Sequence, residues 1–182
     1  MALSPLACPI CGAKISEQYD KHGFICGFCG FERRPAVGQR AYSVLSLEQS
    51  FQDMYQILKR GPISEIYLDG QENPLQEKYP AQVIPLSKDS AALDCIWSDM
   101  TLPFQQDLPG FFREKFIQLR PGGLLYLSTP VRQIFQRPAA LPGQINFFRP
   151  KNIMFQLEQH GFKMAWRKNR FSAALRIIAR KC

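Results

Sequence analysis

Two cysteine pairs near one end of the chain limit its folding most tightly. The stretch "CPICGAKISEQYDKHGFICGFCG" carries Cys8-x2-Cys11 and Cys26-x2-Cys29, with fourteen residues between the pairs. A C-x2-C turn presents two sulfurs from one side of a tight loop. Gly12 and Gly30 directly follow the pairs. Glycine tolerates positive φ and lets backbone amides approach the sulfurs. Two such turns offer four thiolates, which suits tetrahedral Zn2+ with Zn–S near ~2.3 Å. Iron–sulfur, redox-dithiol and disulfide readings compete with zinc. A redox motif uses one C-x-x-C beside a βαβ unit, whereas here two pairs flank a short hairpin. With Cys8, Cys11, Cys26 and Cys29 all as ligands, no position is left for an activated water, so the zinc is structural.

The paired turns resemble a zinc ribbon, assigned to residues 1–36. Phe24, Ile25, Phe28 and Phe31 are expected to form its small apolar patch. Fewer than ~40 residues cannot build an adequate core, so metal takes its place. Pro35 and Gly38 mark the exit, and residues 37–45 read as a linker. Cys95 falls in a buried strand and reads as a small core residue. The start "MALSPLACPIC" lacks the basic and apolar regions of a secretory signal. Six cysteines without such a signal point to a reducing, cytoplasmic setting. No apolar run approaches the ~20 residues of a membrane span.

Residues 46–182 read as an α/β domain with an apolar core of its own. "SLEQSFQDMYQILKR" is a helix with Leu47, Phe51, Met54 and Leu58 at helical spacing and Tyr55 at the stripe's edge. Gly61-Pro62 stops it. "SEIYLDG", "AQVIPL" and "LDCIWSD" read as short buried strands. "LPGFFREKFIQL" is a helix with Phe112, Phe116 and Leu119 on one face. "LRPGG" is a tight turn into the strand "GLLYLST", whose continuous apolar run suits a parallel strand covered on both faces. "RPKNIMFQLEQH" is a third helix, ended by Gly161, with His160 at its terminus. "FKMAWRK" and "ALRIIAR" complete an antiparallel pair. This alternation implies a mostly parallel sheet.

The order "LDCIWSDM…LPGFFREKFIQLRPGGLLYLSTP…INFFRPKNIMFQLEQHGFKM" resembles the C-terminal half of class I S-adenosylmethionine (SAM)-dependent methyltransferases. The resemblance implies a Rossmann-like sheet of that type. It also implies a donor site in the first half: a glycine-rich loop after strand one, and an acid ending strand two that binds the ribose, as in dinucleotide-binding sheets. Here "EIYLD" is followed by "GQENPLQ", with Gly70 alone and Pro74 soon after. Only 24 residues, 70 to 93, separate Asp69 from Asp94. The family pattern puts two strands and two helices in that interval, on the order of 50 residues at typical element lengths. One α/β unit reads as deleted, and with it the acid. No SAM-binding residue is therefore assigned. Asp69, Gly70 and Asp99 are the polar groups left at the carboxyl ends of strands. The chain has no Walker loop, H-E-x-x-H or G-x-S-x-G motif and no Cys–His pair, so no catalytic residue is assigned either.

Charge is unevenly placed. From Arg113 onward there are fourteen Lys/Arg and two acids, a formal +12; the first 112 residues carry nine Lys/Arg and thirteen acids, a formal −4. Such asymmetry has two readings: a site for RNA, another polyanion or an acidic protein as partner, or a solvated basic face. Arg149, Lys151, Arg167, Lys168 and Arg170 are the expected contact residues. The sequence thus reads as a zinc-binding protein with a degenerate methyltransferase-like domain, a pseudoenzyme in a binding or scaffold role. One alternative is an active SAM-dependent methyltransferase with a remodelled donor site. Another is an RNA- or DNA-binding module using the ribbon and the basic region, with Phe147, Phe148, Trp166 and Phe171 as interleaved aromatics.

Overall fold

The computed structural model describes residues 7–15, 18–19, 23–38, 47–69, 76, 79, 82–87, 90–132, 140–168 and 174–182. Its strands form two sheets. A four-stranded sheet joins β1 (Gln18–Tyr19), β2 (Gly23–Ile25), β3 (Glu32–Arg33) and β8 (Asn146–Phe147) in that order. A six-stranded sheet has the order β5 (Val83–Pro85), β4 (Ile66–Asp69), β6 (Leu93–Asp99), β7 (Leu119–Pro130), β10 (Ala174–Lys181), β9 (Phe162–Lys168). β5, β4, β6 and β7 pair in parallel, and β10 runs antiparallel to both β7 and β9. Among the described residues three α-helices pack on this sheet: α1 (Leu47–Leu58), α2 (Leu108–Gln118) and α3 (Pro150–Gln159).

Strand β7 is buried on both faces, as its apolar run requires: Leu124, Leu125, Tyr126 and Leu127 are each at most 1% exposed. "LRPGG" is not a separate turn. It lies inside β7 as a register shift, where Leu93 pairs with Leu119 but Cys95 pairs with Leu124. Gly122 takes φ +77, and a Cβ on Gly123 would lie 2.9 Å from the carbonyl oxygens of Arg120 and Leu93. The bulge needs both glycines.

Helix α2 starts at Asp107, whose Oδ1 accepts from the Gly110 amide at 2.9 Å. Leu108, Phe111 and Phe112 are buried under the sheet with Ile96, Leu125 and Leu127. Phe116 is only half-buried. In α3 the Arg149 amide donates to Asn152 Oδ1 at 2.7 Å, and Gly161 takes φ +81 just beyond the helix.

Helix α1 is rotated from the expected stripe. Leu58 and Tyr55 are 44% and 56% exposed, whereas Ser50, Asp53 and Ile57 are buried. Phe51 and Met54 of that stripe do pack against the sheet's core, but the centre of the buried face is shifted to Ser50, Asp53 and Ile57, where a carboxylate hides it from a count of apolar residues. Cys95 is fully buried in β6, as expected. Its surroundings raise the thiol's pKa through burial. Gly70, Arg170 and Phe171 lie outside the described residues.

The ribbon does not close on a core of its own. Ile10, Ile15, Phe24 and Phe31 belong to the same buried cluster as Leu102, Phe148 and Ile153. Strand β3 pairs with β8, Glu32 opposite Phe147 and Arg33 opposite Asn146. Phe28, expected in the apolar patch, is 80% exposed. Its place is taken by Ile10 and Ile15, which the spacing of aromatics did not reveal.

Candidate metal centre and the carboxyl edge of the sheet

The two cysteine turns are built alike. The Gly12 amide donates to Cys8 O at 2.9 Å, and the Gly30 amide donates to Cys26 O at 2.8 Å. Both glycines have positive φ, 72° and 70°. Each turn is then closed a residue later, by the Cys8 amide on Ala13 O and the Cys26 amide on Phe31 O. Gly30 has a second constraint: a Cβ there would lie 2.5 Å from Arg149 Cζ, so the turn packs directly on the start of α3.

These turns bring Cys8, Cys11, Cys26 and Cys29 together, with all four Sγ atoms within 4.8 Å of one another. Cys8 Sγ lies 3.7 Å from Cys29 Sγ, and Cys11 Sγ lies 3.6 Å from Cys26 Sγ. Both separations are too long for a disulfide, which needs ~2.05 Å. A tetrahedron with ~2.3 Å metal–sulfur bonds has edges of about 3.8 Å, close to these distances. The chemistry of the set also fits. The hydrogen bond from Cys29 pulls the Cys8 thiol down to about 5, and Cys29 is pushed up as its partner takes the charge. A cation among the four sulfurs would displace the thiol protons. Asn152 Nδ2 donates to Cys29 O at 3.1 Å and Gln156 Nε2 donates to Ile10 O at 2.8 Å, so α3 braces both turns from behind.

The second region of interest is the carboxyl edge of the large sheet, where open α/β sheets bind ligands. Asp69 ends β4. Its Oδ1 lies 3.2 Å from Nζ of Lys115, a lysine of α2 that is 3% exposed. Lys115 also pairs with Glu114 at 3.0 Å. Strand β5 lies beside β4, where the family's second strand would run, so the interval does hold that strand. It ends at Pro85 and is followed by Leu86 and Ser87; among these described residues there is no carboxylate, and residues 88 and 89 lie outside the described residues. Asp99 ends β6 on the other face of the sheet, in step with Cys95 and Trp97 and near enough to Tyr126 to act on its charge. Asp69 and Asp99 therefore do not converge on one pocket.

The α1 face carries a polar cluster that the sequence did not reveal. Asp53 accepts from Arg176 Nη1 at 3.0 and 2.8 Å and from Tyr126 Oη at 2.7 Å. The three residues are at most 5% exposed. Burial first, then the Asp53 charge, raises the Tyr126 phenol well above its ordinary value. Tyr126 stacks on Trp97 with ring centroids 4.1 Å apart. The only sequence sign of this cluster was an arginine inside the apolar strand "ALRIIAR".

The basic residues divide between surfaces. Arg149, Lys151, Lys163, Arg167 and Lys168 are exposed. Arg167 pairs with Ile177 and packs Nη1 3.1 Å from Met154 Sδ, which puts it on the α3 face. Lys168 pairs with Arg176 and lies on the α1 face. Phe147 and Phe148 are buried and Trp166 is half-buried against α1, so they form core rather than a stacking surface. Among the described residues no helix is long and apolar enough to cross a membrane.

No protein-family model and no curated protein matches the sequence. Solved structures match the fold. One described as an S-adenosylmethionine-dependent methyltransferase from Listeria monocytogenes has TM-score 0.51 at 11% identity, covering 73% of this chain and 99% of its own. A SAM-dependent methyltransferase from Thermotoga maritima has TM-score 0.51 at 12% identity, covering 74% and 96%. The [4+2]-cyclase SpnF has TM-score 0.53 at 12% identity, covering 81% and 86%. The large sheet of this protein has the Rossmann-like fold of class I SAM-dependent methyltransferases, joined to a four-cysteine cluster that resembles a zinc ribbon. The cyclase makes the limit of that statement plain: one fold serves different chemistries, and function must be argued from the site.

Proposed function

We propose that the protein is a zinc-stabilised binding or scaffold protein that keeps a methyltransferase fold without methyl transfer. The observation that carries this reading is Asp69. Asp69, the carboxylate that ends β4, sets Oδ1 3.2 Å from the buried Lys115 ammonium. Freeing it for a ligand would leave a lysine inside the protein without that partner, which is costly. The neighbouring strand ends at Pro85, and the described residues after it, Leu86 and Ser87, supply no acid of the kind the family uses to bind the ribose. Zn2+ bound by Cys8, Cys11, Cys26 and Cys29 would be structural and closed. In this reading the ion fixes the ribbon against α3 and takes no part in chemistry.

Calorimetric titration with SAM and S-adenosylhomocysteine tests the reading. No saturable binding is expected below about 1 mM; a dissociation constant of about 10 μM, roughly 6.8 kcal/mol, would overturn it. Lys115→Met supplies a second arm. If Asp69 were a donor ligand held in reserve, this change would create or strengthen SAM binding. The scaffold reading expects only lost stability.

A further inference from the structure

At the seam between the ribbon and the large sheet lies a pocket of about 310 Å3 lined by Arg33, Arg34, Pro35, Ala36, Gln106 and Ile145. We propose that this pocket binds a phosphate group, with the Arg33 guanidinium as its anchor. The site is distinct from the cysteine cluster and from the carboxyl edge of the sheet.

Arg33 is held in place from behind. Its Nε donates to Asn146 Oδ1 at 3.0 Å, and Asn146 Nδ2 is fixed by Leu102 O at 3.1 Å and Gln105 O at 2.6 Å. The guanidinium is thereby oriented before any ligand arrives, which lowers the entropic cost of binding. Its Nη2 is buried and has no hydrogen-bond partner. Among the described residues no carboxylate forms an ion pair with Arg33. Burial pushes its pKa down, which records the cost of holding this cation away from water. The Phe31 ring, 5.9 Å from Arg33 Cζ, gives partial compensation. Cys8 first and then Asp107 favour the charged form, but neither pairs with the guanidinium, and Asp107 Oδ1 accepts from the Gly110 amide at the start of α2. A buried donor of a charged group left unpaired is the kind of defect that a ligand repairs.

The charge around the pocket favours phosphate over a carboxylate. Arg34 and Arg132 both pair with the single carboxylate of Glu32, and Arg33 adds a third guanidinium. Arg34 also stacks on the Phe147 ring, with Cζ 4.6 Å from the centroid, so it is held at the pocket wall. Arginine forks match phosphate oxygens in pairs. The pocket is larger than a bare phosphate requires, which leaves room for the group that carries it.

The test uses the full zinc-loaded chain in low-salt buffer, titrated with inorganic phosphate. Saturable 1:1 binding with a dissociation constant at or below about 1 mM is expected. Arg33→Gln should weaken it by about tenfold or more, since the anchoring charge-assisted bond is lost. Gln106→Glu, at an exposed rim position, should weaken it several-fold by repulsion, with an unchanged urea midpoint as the check on folding. Titrations with a nucleoside monophosphate and a short oligoribonucleotide identify the source. Similar affinity for all three assigns an isolated phosphate. Tighter oligonucleotide binding that Arg33→Gln still removes assigns a backbone phosphate. No binding at about 10 mM phosphate, or binding unchanged by both substitutions, overturns the proposal.

Discussion

Asp53 brings a carboxylate into the apolar face between α1 and the sheet, where it meets Arg176 and Tyr126 at hydrogen-bond distance. Removing one partner of such a pair leaves the other buried and uncompensated. Asp53→Ala should therefore cost about 3–5 kcal/mol in urea unfolding, whereas Asp53→Leu combined with Arg176→Met should recover most of that loss. Asp94 makes a different case, at the amino end of β6. It accepts from the Ser64 hydroxyl at 2.6 Å and the Ser64 amide at 3.1 Å, and pairs with Arg120. The Ser64 hydroxyl, aided by Arg120, holds its carboxyl below the usual range. A depressed acid stabilises the fold fully above its unfolded value near ~3.9, and that stabilisation fades as pH falls through the folded value. Asp94→Asn should cost about 1 kcal/mol at neutral pH. It should also flatten the loss of stability on acidification below about pH 4, measured as the urea midpoint. Neither residue was singled out from sequence for these roles. A charged side chain on a buried helix face is invisible to hydrophobic periodicity, because the pattern counts only apolar positions. The four cysteines were legible for the opposite reason: ligand spacing is written locally, in two turns, and the structure gathers the sulfurs accordingly.

At the scale of elements, the ribbon is tied to the third helix. Strand β3 pairs with β8, Phe31 packs on Phe148 at 5.5 Å, and Asn152 and Gln156 donate to carbonyls of the cysteine turns. If the four cysteines hold zinc as proposed, chelating it, or replacing Cys26 by Ser, should consequently loosen more than the ribbon. Hydrogen exchange should speed up in β8 and the first turns of α3, while β6 and β10 stay protected. Protection unchanged in α3 would mean that the seam survives without metal. Asn152→Ala should mimic part of this effect at full zinc occupancy, because it leaves Cys29 O without its donor. Long-range pairings of this kind explain what sequence reasoning missed. β3 and β8 are two-residue strands more than a hundred positions apart, too short to announce themselves by alternation. By contrast β6, β7 and the three helices carried their own periodic or apolar signatures. The "LRPGG" turn was misread because a glycine pair that opens a turn and one that permits a bulge look identical until the register is known.

For the whole molecule, the formal +12 beyond Arg113 overstates the charge that a partner would meet. Lys115 and Arg176 are buried in ion pairs, Arg120 and Arg132 are paired with Asp94 and Glu32, and Lys181 donates to the carbonyls of Phe116 and Leu119. The exposed remainder includes Arg149, Lys151 and Arg167, associated with α3, and Lys168 on the opposite face of the sheet. We propose that a polyanion binds along α3, where Arg167 lies beside Met154 and the exposed Lys151 belongs to the same helix. Single-stranded RNA should bind there weakly, with affinity that falls steeply as salt rises because each neutralised phosphate releases counterions. Lys151→Glu with Arg167→Glu should weaken binding and lower the salt slope by about 1.4, the value for two lost phosphate contacts on a single strand. Lys168→Glu alone should have little effect, since its face is different. If Lys168→Glu instead weakened binding as much as the pair, the polyanion would lie along the β9 edge and not on α3. Salt-insensitive binding would point away from phosphates altogether and toward a protein partner.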